Sequence, residues 1–420
     1  MPAAIRLVRQ AIAGPSRLPI GSAVPTPARR CLWTSQGTAD AAPPTASPSS
    51  SSSPPPPGST PRPRTIFSGI QPTGIPHLGN YLGALRNWVD LQNGASPDDT
   101  LLFSIVGMHA LTMPQDPKRL FRERREMMAT LLAIGLDPHR CTIFHQDQVK
   151  QHAELAWYLM CQTPFGKLGR MTTWKSKLAT ARNSADESSI DETQLALGLF
   201  AYPVLQAADI LLYRSTHVPV GEDQVQHLEL SRDVADLFNR TYRKRFFPLP
   251  QHIITPTKRI LSLRDPTSKM SKSAPDVNSR ILLTDTPAQI SSKIRKAVTD
   301  AERTISYDPT NRPGVSNLLS ILSGLSSDPG STPAKVAEEL NGALARQAEQ
   351  GGKELPSGKY LKDAVADVCV EALRPIQHEL ERVKMDQAYL AEMEEKGRAK
   401  AEEAAEANMQ AVRRMMGVAA

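Results

Sequence analysis

An α/β chain with a Rossmann-like, doubly wound parallel sheet followed by a C-terminal all-helical domain is what this sequence predicts, and three observations carry the prediction. Strand-like and helix-like patterns alternate from Thr65 to Phe238, the rhythm of β-α-β units. The run Leu101-Leu102-Phe103-Ser104-Ile105-Val106 has the apolar character of a strand covered on both faces. Beyond Leu283 the strand patterns stop and helical spacing takes over at residues 287–296, 316–323, 332–344 and 359–416, with a kink or break expected at Pro375. The folded part therefore divides into residues 65–285, α/β in character, and residues 286–420, helical.

What precedes the folded part is of a different kind. Residues 1–39 hold Arg6, Arg9, Arg17, Arg29 and Arg30 and no Lys, Asp or Glu, with Ile5, Val8 and Ile12 on one helical face. That composition predicts a mitochondrial transit peptide over residues 1–37. Residues 38–64 are dominated by Pro and Ser, which cannot bury enough apolar surface to fold, and read as a linker. The leader's arginines account for most of the formal charge of +7, so the remainder is nearly balanced and any RNA contact must come from local patches. No apolar run approaches the roughly 18 residues of a membrane helix. Cys31, Cys141, Cys161 and Cys369 form no Cys-x-x-Cys pair, which argues against a zinc site or a disulfide framework.

The folded chain opens with a strand from Thr65 to Ser68, a glycine-rich turn and a helix. Leu78, Tyr81, Leu82, Leu85, Trp88 and Val89 mark the helix's apolar face. Gly69, Pro72, Gly74 and Gly79 let a ligand approach the backbone, and His77 and Asn80 stand one turn apart at the positive end of the helix. Such a place suits a polyphosphate. A strand at residues 101–106 follows. Asp116-Pro117 then caps a helix carrying Leu120, Met127, Met128, Leu131 and Leu132 that ends at Gly135, and residues 142–145 form a third strand. Residues 181–193 are polar and acidic and read as a surface loop.

Asp209 lies inside the apolar run Ala207-Ala208-Asp209-Ile210-Leu211-Leu212-Tyr213, and a buried carboxylate must find a donor in the protein or in a ligand. Val218-Pro219-Val220-Gly221 is a strand turning into a helix. Its acids Glu222 and Asp223 suit either helix capping or ribose hydroxyls, two compatible roles. A short strand at residues 259–263 leads through Asp265-Pro266 into Lys269-Met270-Ser271-Lys272-Ser273, two lysines on a flexible loop able to close over a triphosphate.

His77-Leu78-Gly79-Asn80 and Lys269-Met270-Ser271-Lys272-Ser273 resemble the two signatures of class I aminoacyl-tRNA synthetases. Together with Ser68-Gly69-Ile70-Gln71-Pro72-Thr73-Gly74, residues 207–213 and residues 218–224, they make the chain similar, from Thr65 to about Gly417, to tryptophanyl-tRNA synthetases of the bacterial and mitochondrial type. Tyrosyl members, which share the fold and both signatures, are the nearest rival.

The resemblance implies tryptophan activation by ATP with Mg²⁺ on the phosphates, acyl transfer to tRNA(Trp), a homodimer and a place in the mitochondrial matrix. It implies catalytic roles for His77, Asn80, Lys177, Lys269 and Lys272. The implied ATP site adds Gln71, Pro72, Thr73, Gly79, Gly221, Glu222, Asp223, Ile260, Met270, Ser271 and Ser273. Asp209 is the implied acceptor of the indole N–H, with Phe67, His109, Gln206, Val220 and Gln224 around the amino acid. No resident metal centre is implied, and the helical region is expected to read the anticodon. Gln206 and Gly107 depart from many bacterial members, which have Met and Asp there.

Overall fold

Five parallel strands in the order β3-β2-β1-β4-β5 form the sheet of the computed structural model, which describes residues 62–171, 195–221, 224–254, 259–272, 274–328, 330–351 and 356–420. They are β1 (Thr65–Ile70), β2 (Thr100–Ile105), β3 (Thr142–His145), β4 (His217–Val220) and β5 (Gln251–Ile254). β1 pairs in register with β2, from Thr65 against Thr100 to Ile70 against Ile105, and its other edge meets β4. The chain thus winds one way from β1 and returns on the other side of it, so the strand order reverses between β1 and β4. In an open parallel sheet the crevice beyond the carboxyl ends of such strands is where ligands bind. The leader, nearly all of the linker, the loop at 181–193, Lys177, Glu222, Asp223 and Ser273 lie outside the described residues.

The helices follow from the expected patterns with one difference, at Pro375. The first begins as α1 (Leu78–Asn80), widens into a π-helical turn at Tyr81–Leu85 and continues as α2 (Arg86–Gly94). Leu78, Leu82, Leu85 and Trp88 are buried along it. α3 (Gly107–Ala110) is a single turn after β2, and α4 (Pro117–Ala133) is capped by Asp116, whose Oδ1 accepts from the Arg119 N–H at 2.7 Å. α5 (Gln151–Gln162), α6 (Phe165–Gly169), α7 (Leu197–Leu212) and α8 (Val225–Thr241) complete the catalytic part. The helical part holds α9 (Pro287–Arg295), α10 (Pro313–Leu325), α11 (Pro333–Glu349), α12 (Ser357–Met385) and α13 (Gln387–Met416).

The expected break at Pro375 is not there: α12 runs through it, and the chain breaks at Asp386, which caps α13 by accepting from the Tyr389 N–H at 2.9 Å. An N-cap carboxylate satisfies orphan amide donors, so Asp386 makes a new helix start favourable where the proline only removes one donor. The strand expected at residues 259–263 reduces to one antiparallel bridge between Leu261 and Lys269. β5, by contrast, follows a Pro-bounded segment whose pattern had not suggested a strand.

Two hydrophobic clusters hold this body, which is a single compact unit from Pro63 onward. One joins β1 and β2 to α4 and runs on into α9, α10 and α12 through Ile290, Leu319, Leu361 and Leu373. The other joins Phe67 and Leu102 to α7 and α8 and takes Ala401, Ala405, Met409 and Val412 from α13. α13 lies so close on the sheet's outer strand that a Cβ at Gly397 would sit 1.8 Å from the Ile143 carbonyl oxygen, so only glycine fits. Its polar side is clamped as well. Glu394 meets His145 at 3.2 Å, Arg413 pairs with Glu154 at 2.6 Å, and Asn408 donates to the Leu212 carbonyl at 2.9 Å. The edge of β3, which would otherwise expose unpaired backbone groups, is thereby covered.

Cys141 and Cys369 are buried free thiols and Cys161 is an exposed one. Among the described residues no helix is long and apolar enough to cross a membrane.

Candidate active site

The two signature segments meet at the carboxyl end of β1. His77 caps α1: its Nδ1 accepts the Asn80 N–H at 3.1 Å, while the Asn80 Oδ1 accepts the His77 N–H at 3.2 Å. The chain after the lysine loop runs antiparallel past this turn, with Leu78 N–H donating to the Ile281 carbonyl and Leu283 N–H to the Pro76 carbonyl. Met270 is buried, and a Cβ on Gly79 would lie 3.4 Å from its own Cβ, so the loop packs directly on the helix start. Ile260, also buried, accepts the Met270 N–H at 3.1 Å. Lys272 reaches back across the turn and donates to the Thr73 carbonyl at 2.7 Å and the Gly74 carbonyl at 3.0 Å. Gly74 holds φ of 71°, a conformation that favours glycine.

Charge at this corner is arranged around the two lysines. Burial, with the nearby charges of Lys272, Arg280 and Lys269, lowers the pKa of His77 to about 4, so its ring is neutral near pH 7. Its Nδ1 is an acceptor in the cap, which leaves the proton on Nε2. Burial lowers the pKa of Lys272 to about 8, with the Glu123 carboxylate pulling the other way. Lys269 is exposed and Ser271 half-buried on the same loop. Lys272, held by two backbone carbonyls, and the exposed Lys269, beside a helix start and a neutral histidine, form a cradle suited to a polyanion.

Below this corner lies a cavity of about 420 Å³ between the ends of β1 and β4. Phe67, His109, Gln206, Asp209, Val220 and Gln224 all line it, as do Gln71 and Gly221 of the expected nucleotide set. The structure therefore brings together residues spread over more than 150 positions of sequence.

Asp209 is 1% exposed, on the buried side of α7. His109 Nε2 lies 2.8 Å from its Oδ2 and His152 Nδ1 2.7 Å from its Oδ1, and Gln146 Nε2 is 2.7 Å from both oxygens. Burial works against its charge, but the hydrogen bonds from His109 and His152 outweigh it and bring the pKa down to about 2. It is an ionised acceptor in a dry place.

Four residues of this network escaped the sequence reading. Gln146 follows β3, His152 starts α5, and Tyr213, whose hydroxyl is 2.9 Å from His152 Nε2, ends α7. Tyr202 lines the cavity with its hydroxyl 2.9 Å from His227. Tyr202, Gln206, Asp209 and Tyr213 recur at helical spacing, a signal that could have placed Tyr202 and Tyr213 beside Asp209. Gln146 and His152 are isolated polar residues with no local pattern.

A parallel sheet whose switch-point crevice is topped by a glycine-rich helix start and a lysine loop defines the catalytic domain of a class I aminoacyl-tRNA synthetase. The family described as tRNA synthetases class I (W and Y) matches residues 60–355. The mitochondrial tryptophan–tRNA ligase of Saccharomyces cerevisiae is 43% identical over 358 residues, covering 84% of this chain and 90% of that protein. The tryptophan–tRNA ligase of Brucella melitensis is 42% identical over 374 residues, covering 84% and 97%. Among solved structures, the tryptophanyl-tRNA synthetase of Campylobacter jejuni complexed with ADP and tryptophan superposes with a TM-score of 0.67 at 27% identity, covering 84% of this chain and 99% of that one. The chain belongs to the class I tRNA synthetases (W and Y), on the tryptophan–tRNA ligase side of that family.

Proposed function

We propose that this chain ligates L-tryptophan to tRNA(Trp) through tryptophanyl-adenylate, in protein synthesis of the mitochondrial matrix. One observation carries the chemistry: the lysine loop packs on the capped helix start just after β1, and the end of β1 also lines the cavity that holds a buried Asp209. The tryptophan carboxylate is already a nucleophile, so attack on the α-phosphorus of ATP needs no general base. Rate comes from alignment and from offsetting the charge of the departing pyrophosphate.

Lys272, released from the Thr73 and Gly74 carbonyls, and Lys269 on the same loop supply positive charge there. His77 and Asn80 offer N–H donors, and Lys177 is a further phosphate contact. Gln71, Pro72, Thr73, Gly79, Gly221, Glu222, Asp223, Ile260, Met270, Ser271 and Ser273 frame the nucleotide. Mg²⁺ bound to the phosphates would screen their charge. Among the described residues no group of three His, Cys, Asp or Glu is placed to hold a metal. Asp209 accepts the indole N–H within the ring of Phe67, His109, Gln206, Val220 and Gln224. The acyl group then passes to the 2′-hydroxyl of the terminal adenosine.

The helical residues 286–420 are assigned the anticodon. A homodimer is supported by Trp157, Phe165 and Leu197, which stand 65%, 76% and 77% exposed on neighbouring segments of α5, α6 and α7. The mitochondrial assignment rests on the arginine-rich leader and on the yeast relative.

Pyrophosphate exchange across the twenty amino acids should respond to tryptophan alone, and tyrosine-dependent exchange would overturn the specificity. Chain lacking residues 1–37 should retain that exchange and fail to enter isolated mitochondria. Import of the shortened chain would remove the targeting role.

A further inference from the structure

Gln146 is fully buried and has no part in the chemistry derived so far. Both ends of its amide are engaged. Oε1 accepts the Met108 N–H at 3.0 Å, which turns the NH₂ group toward Asp209, where Nε2 stands 2.7 Å from each carboxylate oxygen. Its neighbour Asp147 holds the segment in place. Arg124 Nη2 pairs with the Asp147 Oδ1 at 2.6 Å, and the other oxygen fills the space that a side chain at position 107 would need: a Cβ on Gly107 would lie 2.5 Å from it. Glycine at 107 thus admits Asp147, and Asp147 locks the turn that presents Gln146.

An ionised carboxylate has room for about four donor hydrogens. His109 and His152 each fill one place, on different oxygens. The Gln146 N–H, equidistant from both, is shared between them. Three donors meet four places, and the shared one can swing fully to either oxygen as a fourth arrives. We propose that Gln146 is a specificity-determining residue for tryptophan: it holds Asp209 one donor short, so that the pocket is completed only by a ring carrying an N–H.

This rests on the tryptophan reading above. A ring without the N–H leaves one buried acceptor place empty, which is costly in a dry pocket. Without Gln146 the carboxylate is freer to rotate, and the ring N–H then meets an acceptor whose direction is no longer fixed. The three groups that decide this, His109 on α3, His152 on α5 and Gln146 after β3, come from three different elements.

The test uses pyrophosphate exchange with tryptophan and with 3-(benzothiophen-3-yl)alanine, which has sulfur in place of the ring N–H. Gln146→Met should raise the tryptophan KM at least tenfold and narrow the preference for tryptophan over the analogue by a similar factor, leaving the ATP KM and saturated kcat within twofold. Gln146→Glu keeps the shape and the Met108 acceptor but removes the N–H, and should be the more severe. Asp147→Ala, which loosens the turn without touching Gln146, should raise the tryptophan KM about threefold.

A preference within twofold of wild type in Gln146→Met and Gln146→Glu overturns the assignment. So does a parallel loss of kcat, ATP KM and tryptophan KM with the preference intact, since packing alone would do that. Wild-type protein with no tryptophan-dependent exchange sinks the reaction itself, and is read separately from the variants.

Discussion

The corner at the helix start and the floor of the cavity below it solve opposite problems with opposite materials. At the upper corner, the proposed site is made of backbone and charge on a loop: the carbonyls of Thr73 and Gly74, the capped N-terminus at His77, and the lysines. At the floor it is made of side chains that hold one another, with Asp209, His109, Gln146, His152 and Tyr213 all buried and mutually bonded. A triphosphate enters and its pyrophosphate leaves in each cycle, so its site needs groups that can move and be resolvated. An aromatic ring is told from its near relatives by one N–H, and only a rigid, water-free acceptor reads a single hydrogen bond sharply. The contrast teaches that one crevice can be loose where it handles charge and tight where it handles identity.

The widest separation between the two regions is expected from Lys272→Ala. It should lower kcat for exchange by about 10²- to 10³-fold, the scale of losing one preorganised charge donor, while the tryptophan KM stays within about twofold. A kcat near wild type would mean the loop lysine is only a surface group. Asp209→Ala is the mirror experiment, expected to raise the tryptophan KM on the order of 100-fold, as loss of a buried charged acceptor with three orphaned donors should, and to spare the ATP KM. Equal effects on both substrates would dissolve the division.

The smallest effect is a pH response confined to the upper corner. In the proposed phosphate role the protonated Lys272 is the active form, and its pKa is lowered to about 8, so that form is lost at lower pH than for an ordinary lysine. Consequently kcat/KM for ATP, which reports the free enzyme, should fall as pH rises through about 8, by at most about tenfold per unit. Lys272→Arg should move that fall to higher pH. Asp209, with a pKa of about 2, should leave no such inflection in the tryptophan KM above neutrality.

The same contrast explains what could be read from the sequence. The upper corner is contiguous: two segments of four and five residues carry most of it, because backbone geometry and loop charge are local properties. β1, β2 and β3 were legible for a similar reason, since each buries a short run of residues. Within the floor, Asp209 was legible from its residues, as a charge stranded in an apolar helix, and His109 only through the family resemblance. Gln146 and His152 contribute one atom each from separate turns, and no periodicity marks a residue whose importance comes from a neighbour more than fifty positions away. Gly107 looked like a gap in the pattern. The structure shows that the space beside it is filled by the Asp147 carboxylate, supplied from the next strand's turn. The break at Asp386 was missed because a proline draws more attention than a cap.

The fit of Gly397 against Ile143 has a consequence for how the enzyme comes into being. The strand it covers leads straight into Gln146, and α13 also supplies Ala401, Ala405, Met409 and Val412 to the cluster behind the cavity. α13 therefore backs a chamber whose first strand lies some three hundred residues earlier in the chain. A chain without that one helix would keep every signature residue and lose the packing behind its active site, so the site is finished only when α13 has docked.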